Sequence, residues 1–235
     1  MNQGPLLFLG VFFSMALSFG GLILGPHLKI GQMTQVPNTS SNAIGQLYPS
    51  VRAGSAKQGS EVYRSLGCVE CHTQQVRGLG ADRKRGWAAR ITVAQDYLGD
   101  YPVFLGNLRI GPDLANVGMR QPDARQLYLH LYDPQQVMPG SMMPPYKFLF
   151  EERKLLPGQL PSQEALPVKV KPGYEMMPTD RARALVAYLQ SLNVTAPLFE
   201  APFPLVPKPA QPQDTNAVAS TNAVVTNAPA PGTPP

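Results

Sequence analysis

Cysteine and histidine are scarce in this 235-residue chain, with two of the first and three of the second, and there is a single tryptophan. Two cysteines allow at most one disulfide. A structural zinc site needs about four ligands, and outside one short cluster only His27 and His130 remain. Several catalytic devices are missing as well: no Ser-His-Asp set, no carboxylate pair and no phosphate-binding glycine loop can be picked out. The formal net charge of +5, with a pI near 9.3, is too modest to point to a nucleic acid. Charge of either sign is absent from Gly4 to His27.

What little cysteine there is stands together. The stretch "YRSLGCVECHTQQVRG", residues 63 to 78, holds Cys68, Cys71 and His72 in the order C-x-x-C-H. That spacing is the attachment pattern of a c-type haem. Two thiols add to the vinyl groups, and the adjacent imidazole reaches the iron from below. A redox dithiol prefers a βαβ context that the flanks lack, and a simple disulfide has no need of His72. Such haem is assembled on the outer side of an energy-transducing membrane, so the domain belongs in a periplasm-like compartment.

The uncharged run "PLLFLGVFFSMALSFGGLILG", residues 5 to 25, covers roughly 31 Å as a helix, the thickness of a bilayer's hydrocarbon core. It lacks a basic leading segment and an A-x-A-like cleavage site, so residues 1–28 are expected to be an uncleaved transmembrane anchor. The N-terminus would be cytoplasmic and the haem domain periplasmic. Residues 29–55 are polar, with scattered Pro and Gly, and are expected to be a linker. The haem domain is expected over 56–195, with a helix from about Ala56 and irregular chain from 77 to 112. A second helix is expected over 122–132 and a Lys/Glu/Pro-rich insertion over about 151–178. Thr179 should cap a closing helix carrying Leu185, Tyr188, Leu189 and Leu192 on one face. Residues 196–235, rich in Pro, Ala and Asn, are expected to be a disordered tail. The fold class is therefore mostly α: one membrane helix plus a class I-like cytochrome c domain with long irregular loops.

"GCVECHTQQVR", "GDYP", "GNLRIGPDLANVG", "HLYDPQQVMPGSMMPPY" and "ALVAYLQSL" occur in this order. Together they resemble the membrane-anchored monohaem subunit (subunit II) of cbb-type, C-family haem–copper oxidases, over roughly residues 10 to 192. The family usually reads G-S-K-R before T-G-P-D-L, where this chain has Gly106 to Ile110. The resemblance implies one covalent haem c and an electron relay in aerobic respiration. Electrons would pass from a diheme cytochrome c subunit, through this haem, to the catalytic haem–copper subunit I. The chain alone would be no enzyme. The anchored cytochrome subunit of a nitric-oxide reductase is the alternative, and a haem-based sensor would need an open sixth position.

The resemblance also implies roles for single residues. Met143 would be the sixth iron ligand, with Met142 and Met177 as rivals; His/Met ligation raises the potential, as suits a carrier feeding an oxidase. The Pro112 carbonyl would accept a hydrogen bond from His72 and orient it. Arg109 either pairs with a haem propionate or stands as a solvated surface charge. His130 is expected to be a satisfied histidine on a packing face. The cations Arg77, Arg83, Lys84, Arg85 and Arg90 around Asp82 read as subunit interface mixed with solvated surface, and Trp87 as packed near the haem or a neighbouring subunit.

Overall fold

The computed structural model describes residues 3–40, 45–52, 54–78 and 80–201; Arg83 is placed by its backbone only. The chain opens with a continuous apolar helical run, Gly4–Ile30, of 27 residues and mean hydropathy 2.2 in its most apolar window. It is long and apolar enough to cross a membrane. The run comprises α1 (Gly4–Phe19), a π-helical turn (Gly20–Leu24) and α2 (Gly25–Ile30). The wide turn has a local cause: Pro26 has no N–H, and its ring would press on the carbonyl of Leu22 in a regular helix.

The expected linker is not a free tether. Val36–Pro37 (β1) and Leu47–Tyr48 (β2) pair antiparallel. The Gln95 side chain, on the 3-10 turn Ala94–Tyr97, donates to Thr34 O at 2.8 Å. The Tyr48 hydroxyl donates to Asp96 at 2.6 Å, and Arg90 closes on the same carboxylate at 2.6 and 2.9 Å. Arg90 is only 1% exposed, which removes it from the basic surface read in the sequence. It also donates to Ala196 O at 2.7 Å. Ala196, Leu198 and Ala201 are buried, so the stretch 196–201 packs on the domain instead of starting a tail. The rest of that expected tail, 202–235, lies outside the described residues.

The domain is built on the crossing of α3 (Gly54–Ser65) and α8 (Asp180–Ser191). Gly59 lies at the crossing, where a Cβ would collide with the Ala184 backbone and with Tyr188. Tyr63 and Tyr188, each 1% exposed, meet beside it with ring centroids 5.4 Å apart. Thr179 caps α8, accepting from Ala182 N, and its own hydroxyl donates to Leu149 O at 2.8 Å. The face read in the sequence, Leu185 to Leu192, is buried.

Between these helices lie the short α4 (Gly80–Lys84), α5 (Val117–Arg120), α6 (Ala124–Tyr132) and α7 (Pro134–Val137). Asp123 caps α6 by accepting from Arg125 N at 2.9 Å; with the cap there, the helix begins two residues after Pro122. Asp133-Pro134 does end it, but Pro134, suited to a first helical position, opens one more turn. The expected insertion is an ordered hairpin. Phe150–Lys154 (β3) pairs antiparallel with Tyr174–Pro178 (β4), Phe150 opposite Pro178 and Lys154 opposite Tyr174. Phe150 meets Tyr128 and Tyr132 of α6 edge-on, at 6.2 and 5.4 Å.

The close approach at Gly59 is directly testable. Overpacking of this kind costs about 1–3 kcal/mol, so Gly59→Leu should lower the unfolding free energy by at least about 2 kcal/mol in a chemical-denaturation titration. Gly10→Leu, on the anchor where nothing lies within 4 Å of the new Cβ, should leave it unchanged.

Candidate haem site

Helix α3 stops at Gly67, left-handed at φ 69°, and the chain turns through the 3-10 turn Cys68–Glu70. Cys71 N and His72 N both point back to Cys68 O, at 3.2 and 3.0 Å. This tight turn brings the two thiols and the imidazole to one end of the helical core. Both cysteines are free and half-buried. Burial pushes the Cys68 thiol up to about 11, and the Tyr146 hydroxyl lies against it. Val69, Leu66, Tyr132 and Met143 belong to the apolar surround of the same cluster.

His72 is held from one side. Its Nδ1–H donates to Pro112 O at 2.8 Å, which leaves Nε2 as the unprotonated nitrogen, able to donate its lone pair to a metal. Burial lowers the basicity of the ring, with the Pro112 bond acting in opposition, so the imidazole is neutral at pH 7. Gly111 N donates to Cys71 O at 2.9 Å, and Leu114 N to Thr73 O at 2.7 Å. These two bonds zip the G-P-D-L turn onto the segment from Cys71 to Thr73. Gly111 passes so close beneath the imidazole that a Cβ there would enter the ring.

Several side chains read in the sequence take places that their neighbours in the chain do not announce. Arg109 is neither solvated nor facing open space. It grips Asp82 with two bonds of 2.9 Å and reaches Thr73 Oγ1 at 2.9 Å and Gln75 O at 2.6 Å. Its guanidinium also stacks on Trp87 at 4.9 Å, while Arg85 stacks there at 5.0 Å. Trp87 packs with Val76, Ala88, Ala115 and Val194, in a smaller cluster distinct from the main core. His130 Nδ1 is buried with no partner among the described residues, unlike the satisfied histidine expected, and so is Arg120 Nε. Arg120 donates through its other end to Asp113 O. Asp82, Thr73 and Asp113 are not singled out from the sequence as site residues; the signals there are one acid, Asp82, among basic neighbours and the place of Asp113 within G-P-D-L.

The methionines differ in setting. Met143 is half-buried on the loop after α7 and packs on the cluster that includes Cys68. Ser141 Oγ accepts from its N–H at 3.2 Å, and Tyr146 N ties the loop to Leu131 O at 2.8 Å. Met142 is 79% exposed, and Met177, 3% exposed, lies within β4 opposite Glu151.

The donor set fits a haem. Two free thiols, an imidazole with Nε2 uncommitted and an apolar surround are what such a group would meet. No cluster of three or more His, Cys, Asp or Glu suited to a bare metal ion is present among the described residues. The Gly111 contact offers a check: Gly111→Ala should displace the ring from Pro112 O and cost about 1–3 kcal/mol in thermal unfolding. Gly54→Ala, where a Cβ meets nothing within 4 Å, should be neutral.

No curated protein matches the chain. The family model described as cytochrome c oxidase, mono-heme subunit/FixO, matches residues 3–160. That stretch takes in the apolar helix, the C-x-x-C-H turn, the G-P-D-L turn and the Met143 loop, and the chain is thus a member of the FixO family of mono-heme cytochrome c oxidase subunits.

Proposed function

We propose that the chain carries one haem c, joined covalently through Cys68 and Cys71, with His72 and Met143 as its axial ligands, and that it relays electrons within a cbb-type oxidase. The observation that carries this reading is the pairing of free thiols with an imidazole whose Nδ1–H is committed to Pro112 O at 2.8 Å. When bound, haem c supplies a one-electron Fe(III)/Fe(II) couple. The protein's part is to hold His72 in one tautomer and one orientation, to keep water from the apolar side, and to present the Met143 thioether from the tied loop. Fixed ligands keep reorganisation on electron transfer small. The Arg109 nitrogens are already bonded to protein, whereas Arg120 Nε has no partner among the described residues, which supports Arg120 over Arg109 as the partner of a haem propionate.

Electrons would arrive from a diheme cytochrome c subunit and leave to the catalytic haem–copper subunit, where oxygen is reduced; the chain itself breaks no bonds. The apolar helix would be the single-pass anchor in the inner membrane, N-terminus in the cytoplasm, domain in the periplasm. The family match supports the oxidase over the nitric-oxide reductase.

The methionines test the assignment. Met143→Leu keeps volume and apolarity, so packing should survive while the weak ferric band near about 700 nm disappears. The midpoint potential should fall by at least about 0.1 V, within the ~0.8 V range that axial ligands span, and oxidase turnover in membranes should stop. Met177→Leu should change neither band nor potential; the reverse pattern would refute the ligand choice. Cys68→Ala with Cys71→Ala should abolish haem staining at this mass on denaturing gels.

A further inference from the structure

We propose that Asp113 is a positioning residue for His72: its carboxylate fixes the turn beneath the imidazole and sets a negative charge behind it, which Arg109 offsets. The inference rests on the haem reading above. Asp113 follows Pro112, the acceptor of the His72 bond, and is 0% exposed. Its Oδ2 accepts from Thr73 Oγ1 at 2.6 Å and Gln75 N at 2.7 Å, and its Oδ1 from Ala115 N at 2.9 Å. One carboxylate thus ties the residue after His72 to the residues around Pro112, so neither end of the His72–Pro112 bond can shift alone.

The same carboxylate is a charge in a poorly screened place. Arg109 NH2 stands 3.8 Å from Asp113 Oδ2, but its bidentate bonds go to Asp82. Thr73 Oγ1 relays between them, accepting from Arg109 Nε at 2.9 Å and donating to Asp113. Arg120 touches only the main-chain oxygen of Asp113. The ferric state carries one more positive charge than the ferrous state, so the Asp113 carboxylate favours the ferric form and Arg109 the ferrous form. The two act in opposite directions on the potential, although both belong to one structural unit.

This opposition separates charge from mere support. In redox titrations of the full-length, haem-loaded protein, Asp113→Asn should raise the midpoint by about a tenfold change in the oxidised-to-reduced ratio, about 59 mV. Arg109→Gln should lower it by a similar amount. Thr73→Val removes the relaying hydroxyl but no charge; it should lower the melting temperature and leave the midpoint in place. Shifts of one sign in both charge variants, or a Thr73→Val shift as large as theirs, would overturn the proposal. If Asp113→Asn does not mature, the contrast between Arg109→Gln and Thr73→Val still decides it. The haem reading fails by a separate result, namely unaltered protein without covalent haem.

Discussion

The His72 imidazole is held with Nδ1–H tied to one carbonyl, and the G-P-D-L turn and the residues that follow the cysteines are organised around that bond. The Pro112 carbonyl can only accept, so it selects the tautomer. Bringing that carbonyl close forces Gly111 under the ring, since any Cβ there would occupy the imidazole's volume. Bonds from Gly111 to Cys71 and from Leu114 to Thr73 then hold the turn in register. Outside them, Asp113 and Asp82 gather the remaining donors around Arg109. Removing the central bond would leave these features without an evident purpose, whereas each follows once the bond is required.

Long-range support comes from the helix crossing. The α3–α8 contact is made between segments more than 100 residues apart in sequence, and it fixes the helix that leads into Cys68. Tyr63, Phe104 and Tyr188 fill the space between the crossing and the site, with Tyr63 and Phe104 5.6 Å apart. Gln74, two residues past His72, accepts from the Tyr188 hydroxyl at 3.1 Å. Packing of the closing helix and placement of the site's backbone are therefore linked through one buried contact.

Features encoded by neighbouring residues were legible in the sequence: the C-x-x-C-H turn, the membrane-length apolar run and the Thr179 cap with its buried face. Features that depend on distant partners were not. β3 reads "FEERK", and its charges lie exposed while Phe150 alone turns inward, so no period-two pattern marks it. β4 reads "YEMMP" and is buried along most of its length, Glu175 included, so neither an alternating nor an apolar pattern marks it. The same limit applies to single side chains. Arg109 finds Asp82, 27 positions away, and Arg90 finds Ala196, 106 away. Nothing beside either arginine announces those partners, which is why one was read as propionate partner or surface charge and the other as surface.

The hydrogen bond from Gln95 to Thr34 changes how the domain is joined to the apolar helix. A free linker over 29–55 would let the domain wander roughly 30 Å from the end of the apolar helix on average, and any encounter with a partner would wait on a diffusive search. With Thr34 fastened only a few residues beyond Ile30, the free leash between helix end and domain is shorter than about 15 Å even fully extended. Encounter is then replaced by standing geometry. For the electron relay proposed above, the effective concentration of the domain at its acceptor would be set when the chain folds, and the pace of transfer would be left to distance and driving force.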